Sequence, residues 1–513
     1  MTASSELSVN HFSQAEAHLG SLIHNLQSAS LKEAQLSRVE QVVEHGVREL
    51  GRQLVQAHID LRSAREPRLR VVRGSDDIQR GSERRRVRSV TTIFGKVDVI
   101  RRSYEAERCR GLFPMDAELN LTPFTYSLGV DRRIAIESSR GSFDEATSAF
   151  HEATGVEIPK RQAEAIAVRA AYDFDAFYQS LPYSVSLPTP KKGSIIVMTV
   201  DGKGVVMRTE DLREATRKKA EKQVKKLTKR LCRGEKHFAK RMSTVASVYE
   251  VAPYMRRPED VIREQDAVQP VDKTRPKPEN KRLWASVEKE PSDVIADMFQ
   301  EACRRDPERN FPWLCLIDGA QVQLALVKAE ARRQGVKVTI ILDMIHVLEY
   351  LWRAARQLFE ETSKECEAWV AEKMLEVLKG KARRVASGMR RSATFRNLSD
   401  KNRAAVDKCA AYLQKNSPYM KYRKYLRQGY PIATGVIEGA CRYLVKDRME
   451  ITGARWSLPG AEAVLRLRAL RASGDFDSYW DFHETQTYRR NHQAKFADNR
   501  CPSRTLHLVR GNS

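Results

Sequence analysis

The chain has 513 residues and carries 90 Lys and Arg against 66 Asp and Glu, a net charge of +24, with a pI near 9.7. That length holds more than one domain, and the charge favours a polyanionic partner, because basic side chains on DNA or RNA gain by releasing condensed counterions. The start lacks the basic and apolar regions of a secretory signal, no apolar run approaches the ~20 residues of a membrane helix, and the eight cysteines contain no Cys-x-x-Cys pair. A secreted, membrane-spanning, zinc-ribbon or disulfide-built protein is therefore not expected, and a cytoplasmic one is.

Residues 9–62 carry a helical pattern in which Leu36, Val39, Val43, Val47, Leu50 and Leu54 step by three or four into one apolar stripe. Two readings fit it: a self-association helix with heptad-like spacing, or a helix lying on the next domain. Residues 66–87 then read as a basic loop containing Arg84-Arg85-Arg86. The β-rich runs 89–94 and 97–101 around Gly95-Lys96 predict a hairpin. Arginines beside a hairpin suit a phosphate backbone, and they suit equally a charged edge that resists aggregation. Between 131 and 177 the pattern is helical again. Ser142 opens one helix, Thr154-Gly155 breaks it, and Lys160 and Arg161 fall in the first turn of the next. That is the plan of a helix-turn-helix, and also of many helical hairpins that touch no DNA.

Residues 181–193, with Pro182, Pro188 and Pro190, read as a linker. Residues 195–201 are a short apolar strand ending in Asp201 and Gly202. The stretch 211–241 follows, with Lys218, Lys219, Lys225 and Lys226. It is either a clamp on a nucleic-acid backbone or a solvated insertion. Strand 242–251 and a Pro- and charge-rich loop at 261–281 come next. Helix 292–304, strand 313–318, helix 322–334 and strand 336–342 then alternate, as in an α/β domain with parallel pairing. Residues 347–428 are almost wholly helical in pattern and read as an all-α insertion. A helix around 436–448 carries Glu438, and residues after about 485 predict an extended polar tail.

Asp201, Asp318 and Glu438 each end an apolar segment and precede a glycine. Three carboxylates suit divalent cations, since Mg²⁺ prefers hard oxygen ligands. Two such ions roughly 3.5–4 Å apart serve phosphodiester cleavage and strand transfer. Single acids at strand ends are common without function, so it is the triple, on a chain of this charge, that carries the expectation.

The segments Thr199-Val200-Asp201-Gly202, Leu316-Ile317-Asp318-Gly319, Asp343-Met344-Ile345-His346 and Gly435-Val436-Ile437-Glu438-Gly439-Ala440 resemble those of DDE transposases with an RNase H-like core. The likeness is greatest to bacterial insertion-sequence enzymes of the ISKra group, which are similar in layout to Mutator-type transposases. It runs over most of the chain and includes Asp447-Arg448-Met449-Glu450 and Arg455-Trp456-Ser457. The resemblance implies an α/β RNase H-like catalytic core with an all-α insertion, preceded by a mainly helical DNA-binding region with a β-hairpin. The implied divisions are 1–65 (helical, dimerising), 66–185 (hairpin and helix-turn-helix), 194–346 (first part of the core), 347–429 (insertion), 430–480 (second part, with the Glu helix) and 481–513 (polar tail). The first acid would lie on the first strand, the second after the fourth, and the Glu on a helix behind the insertion. Asp201, Asp318 and Glu438 would bind Mg²⁺ or Mn²⁺. The partners would be double-stranded DNA, as terminal inverted repeats and target, and a second copy of the chain in a homodimer or larger oligomer on a bacterial nucleoid. Lys160, Arg161, Arg84, Arg85, Arg86, Lys218, Lys219, Lys225 and Lys226 are the DNA-binding candidates.

Asp343 and His346 match a secondary motif after the fifth strand. Asp343 reads either as a further metal ligand or as an N-cap, and His346 either as a partner of a carboxylate or phosphate or as a core histidine. Trp456 reads as a stacking platform for an unpaired base or as packing for the glutamate helix. Glu450 rivals Glu438 but lacks its glycine-rich context. Relatives often carry a cysteine pair near the N-terminus, whereas Cys109 stands alone here, so no zinc knuckle is implied. Two alternatives remain: a metal-dependent nuclease without joining, and a transposon-derived DNA-binding repressor.

Overall fold

The computed structural model describes residues 10–181, 193–222, 239–266, 275–433, 435–451 and 453–502. Lys225, Lys226 and the prolines of the expected linker lie outside the described residues. The chain divides into two compact units, 1–177 with 476–513, and 178–475.

The first unit opens with α1 (Ser13–Leu26) and α2 (Leu36–Ala64), so the continuous helical stretch expected over 9–62 is broken. The break lets α1 fold back on α2. His18 Nε2 lies 3.0 Å from the Gly46 carbonyl, and Leu22 fills the space that a side chain at Gly46 would need. The apolar stripe is consequently split. Val39, Val43 and Leu50 are half-buried, while Leu36, Val47 and Leu54 stay exposed, as do Leu19 and Ile23 on α1.

Strands β1 (Ser82–Thr92) and β2 (Gly95–Glu105) form the hairpin. Thr92 pairs with Gly95, so the turn is Ile93-Phe94 rather than Gly95-Lys96. Gly95 closes it at φ +122°, which a side chain would resist. Arg84, Arg85 and Arg86 are part of β1, not of a loop, and face Ser103, Arg102 and Arg101 across the ladder. Nearby carboxylates offset this like-charge pairing: Glu83 pairs with Arg102, and Asp116 with Arg101. Helices α3 (Leu128–Arg140), α4 (Phe143–Thr154) and α5 (Lys160–Ala170) close on Val130, Ile134, Phe150, Ile158 and Ile166. Ser142 and Glu145 cap α4 reciprocally, and Gly155 ends it in the left-handed region at φ 72°.

Where a polar tail is expected after about 485, the helix Phe476–Asn491 runs on to 491 and belongs to this first unit, while 503–513 lie outside the described residues. Phe476, Tyr479, Trp480, His483 and Thr487 recur at helical spacing and are buried. The Tyr479 hydroxyl donates to the Ala170 carbonyl at 2.6 Å. Asp173 accepts from Arg490 at 2.9 Å and lies 2.7 Å from His483 Nδ1. Burial would raise the Asp173 carboxyl, but His483 and Arg490 hold it below its ordinary range. Deleting residues 476–513 is therefore expected to strip amide-exchange protection from α5 and the helices packed with it, because the Tyr479 bond to Ala170 and the His483 and Arg490 partners of Asp173 go with it. Unchanged exchange over 128–170 would show the helix to be an ornament.

In the second unit β3 (Ile195–Val206), β4 (Lys240–Val251), β5 (Glu279–Ser286), β6 (Trp313–Ile317) and β7 (Val338–Leu342) form one five-stranded sheet. The order is β5-β4-β3-β6-β7. β4 runs antiparallel to both its neighbours, whereas β3–β6 and β6–β7 are parallel. The expected loop at 261–281 is structured at both ends, and 267–274 lie outside the described residues. Pro258–Asp266 is a helix, and Glu279 already begins β5. Helix α6 (Pro291–Arg305) precedes β6, and α7 (Gln321–Arg333) links it to β7. The all-α insertion follows as α8 (Met344–Ala355), α9 (Lys364–Leu378), α10 (Ala382–Phe395) and α11 (Asp400–Asn416). The chain returns through α12 (Gly435–Ala440), a π-helical turn at Cys441–Lys446, and α13 (Leu458–Ser473).

Candidate functional site

Ile196 pairs with Trp313 and Thr199 with Leu316, an offset of 117 residues (313 − 196) between β3 and β6. Trp313 pairs with Val338, an offset of 25 (338 − 313) between β6 and β7. The same two offsets carry Asp201 to Asp318 and Asp318 to Asp343. The paired ladders end at Thr199–Leu316 and Ile317–Leu342, so the three aspartates follow directly on neighbouring strands at one end of the sheet, Asp201 within β3, Asp318 just after β6 and Asp343 just after β7. The Asp343 N–H donates to the Ile317 carbonyl at 2.8 Å, which ties the backbone of Asp343 to the end of β6.

Local bonds fix each carboxylate. Asp201 Oδ1 accepts the Gly202 N–H at 2.6 Å, and Oδ2 accepts the Cys441 thiol at 3.3 Å. Asp318 Oδ1 accepts the Ala320 N–H at 2.7 Å, and its backbone carbonyl accepts the Tyr412 hydroxyl at 2.7 Å. Gly319, at φ +91°, is what lets α11 come this close. A Cβ there would lie 3.0 Å from Leu342 and 3.2 Å from Tyr412. Asp343 is 3% exposed, and its Oδ1 caps α8 by accepting the Ile345 N–H at 2.9 Å. The N-cap role is thus present.

Glu438 arrives on α12. Burial pushes its carboxyl above the usual range. The His346 imidazole pulls it back, while Glu349 and Asp201 push it further. The side chain is exposed, so the burial is partial and the neighbouring charges matter beside it. Glu438 thus lies within electrostatic reach of Asp201 on β3 and of His346 and Glu349 on α8. Glu450 is engaged elsewhere, accepting from Lys240 at 2.7 Å. His346 sits in the first turn of α8, with Nδ1 3.9 Å from Glu349. Trp456 packs: it is 5% exposed, its Nε1 donates to the Met449 carbonyl at 3.1 Å, and Arg448 lies 4.7 Å from its ring. In that position it offers no face to a base.

Among the described residues no three His, Cys, Asp or Glu side chains are grouped closely enough to hold a metal ion. The donor chemistry nonetheless fits a hard divalent cation. Asp201 and Asp318 offer carboxylate oxygens at one end of the sheet, and Glu438 on α12 would have to supply a third. Closing such a site requires the Cys441 thiol to yield Asp201 Oδ2. Sequence reasoning missed Cys441 and Tyr412. Cys441 was in principle visible, since it follows Glu438 by three residues on one helical segment, whereas Tyr412 reaches Asp318 only through the fold.

The raised Glu438 carboxyl has a measurable consequence. Its folded pKa exceeds the ordinary value of 4.5, so the ionised side chain opposes folding, and stability falls as pH rises through the raised value. Glu438→Gln is expected to melt higher than the parent, by roughly 1 °C at pH 7 in EDTA, with the gap closing toward pH 4. A pH-independent gap would contradict the assignment.

The DNA-binding candidates are scattered. Lys160 and Arg161 are exposed at the start of α5, Lys160 pairing with Asp144. Arg84 and Arg86 reach Glu105 at 3.8 and 3.0 Å, and Arg85 is exposed beside them. In the second unit Lys218 pairs with Glu214 at 2.5 Å, and Lys219 is exposed.

No known protein family matches the chain by its sequence profile, and comparison with curated proteins gives no match either.

Proposed function

We propose that the chain is a DDE-type transposase that cuts DNA at the ends of an insertion sequence and joins them to a target. Asp201, Asp318 and Glu438 would bind Mg²⁺ or Mn²⁺. The observation that carries this reading is that Asp201 on the first strand and Asp318, directly after the fourth, are separated by the same offset as the paired residues of those two parallel neighbours. Glu438 lies behind the all-α insertion and feels the charge of Asp201. The antiparallel second strand in the order β5-β4-β3-β6-β7 supports an RNase H-like core.

A bound divalent cation lowers the pKa of the attacking oxygen and stabilises the leaving one. The chain's own part is positioning. Gly202 and Ala320 hold one oxygen each of Asp201 and Asp318. Tyr412 ties the insertion to the strand end that carries Asp318. The exposed cations draw in the phosphate backbone. Water frees a 3′-hydroxyl at the element end, and that hydroxyl attacks a target phosphodiester in line. Lys160 and Arg161 on α5 would read the terminal inverted repeats, with Arg84–Arg86 and Lys218–Lys219 on phosphates. Leu19, Ile23, Val47 and Leu54, exposed on α1 and α2, would join two copies. The working place would be the bacterial nucleoid.

The test is to incubate the full chain with Mg²⁺, a duplex carrying the flanking element end, and a supercoiled target. Joined product supports the proposal. Hydrolysis alone leaves a nuclease, and binding without either leaves a repressor.

A further inference from the structure

Alongside α12 the second unit contains a cavity of about 540 Å³. Gly435, Val436 and Gly439 of the helix line it, whereas Glu438 does not. The other walls carry Tyr249, Tyr254 and Tyr443 together with Arg256, Lys277 and Lys281, and no Asp or Glu is among the described lining residues.

One wall is built rather than incidental. The Tyr254 N–H donates to the Gly429 carbonyl at 2.9 Å, and the Arg256 N–H to the Leu426 carbonyl at 3.1 Å. Gly429 takes φ +75°, and a Cβ there would lie 2.7 Å from Pro253. The Arg256 guanidinium lies 5.0 Å from the centre of the Tyr254 ring. The chemistry points to a mixed ligand. Lys277 and Lys281 suit an anion, and the Tyr254 and Tyr443 rings suit a flat group that stacks. A nucleobase stacks on aromatic rings, and its phosphate pairs with Arg and Lys. The volume falls within the roughly 300–1,000 Å³ of small-ligand sites, which suits a single nucleotide and excludes a duplex.

We propose that this cavity takes one unpaired, phosphate-bearing nucleotide of a DNA strand, and that the occupant bears on the helix that carries Glu438. The inference deepens the transposition reading and rests on it for the source of the nucleotide, not for the pocket's chemistry.

The experiment uses the full chain in EDTA, so that no cleavage occurs. Fluorescence anisotropy follows binding of a labelled duplex with a 5′-phosphorylated single-stranded overhang, and of the same duplex made blunt. Tyr254→Ala and Lys281→Glu are compared with the parent, each checked for an unchanged melting curve. Both variants are expected to weaken overhang binding about 10-fold and blunt-duplex binding less than twofold. Equal loss on the two DNAs, or no loss on either, overturns the proposal. Should Tyr254→Ala alter the melting curve, Lys281→Glu, at an exposed position, decides alone. Addition of dAMP separates the sources: displacement of the overhang as effectively, mole for mole, as by an unlabelled single strand overturns the strand assignment in favour of a free nucleotide. A chain that joins no DNA but shows the overhang-specific loss sinks the transposase reading and leaves the pocket standing; the converse result does the reverse.

Discussion

Replacing Asp201 or Asp318 by asparagine is expected to lower metal-dependent DNA cleavage by at least about 10³-fold, because losing a metal ligand forfeits several kcal/mol of charge stabilisation. Asparagine keeps the size of the side chain and an oxygen for the Gly202 or Ala320 N–H, and at 201 its amide nitrogen then donates to the Cys441 sulfur that had been the donor. What disappears is the negative charge. The melting temperature in EDTA should therefore hold or rise slightly in both variants, which separates lost chemistry from lost fold. Because the two acids would serve one site, the double variant should be scarcely worse than either single one. Cleavage within a few-fold of the parent in Asp201→Asn would sink the assignment.

The second large effect falls on stability. Glu301 on α6 is 2% exposed. It accepts from Arg282 on β5 at 2.6 Å and from Arg305 at 2.8 Å, and it also pairs with Arg304. Burial would raise its carboxyl, yet the Arg282, Arg305 and Arg304 guanidiniums together hold it at about 2. Glu301→Gln leaves those cations buried with a neutral partner. The expected loss is about 3–5 kcal/mol, or roughly 5–8 °C in the melting temperature of a unit this size. The sign with pH follows from the lowered pKa. The contribution is complete above the ordinary value of 4.5 and is lost as pH falls through about 2. The parent's advantage over the variant should thus shrink in acid, and a constant difference from pH 7 to pH 2 would contradict the network.

The same network explains one limit on what the sequence reveals. β5 is a buried strand whose first buried residue is Arg282, and a charged residue there breaks the apolar run that marks a strand. Its compensating carboxylate lies on another element, beyond the reach of local periodicity. The C-terminal helix is hidden for a related reason. Its buried face mixes Tyr479, Trp480, His483 and Thr487, and polar satisfaction comes from Ala170 and Asp173, some 300 residues away in sequence. By contrast, β3 and β6 are legible because both are buried along their apolar runs, which leave Asp201 and Asp318 at the first half-buried positions. Their match to the strand register is not legible, since an equal offset between acids and strands has meaning only once the strands are known to pair. The long helical stretch 347–428 is readable as an insertion simply because it is too long for a connection.

The central claim is that Asp201, Asp318 and Glu438 belong to one metal site. Iron-directed backbone cleavage tests it most directly. Fe²⁺ is bound in place of Mg²⁺, ascorbate and peroxide are added, and the fragments are mapped. The prediction is scission clustered near residues 201, 318 and 438, suppressed by excess Mg²⁺ and abolished in Asp201→Asn. Scission elsewhere, or a pattern indifferent to Asp201→Asn, would contradict a shared site.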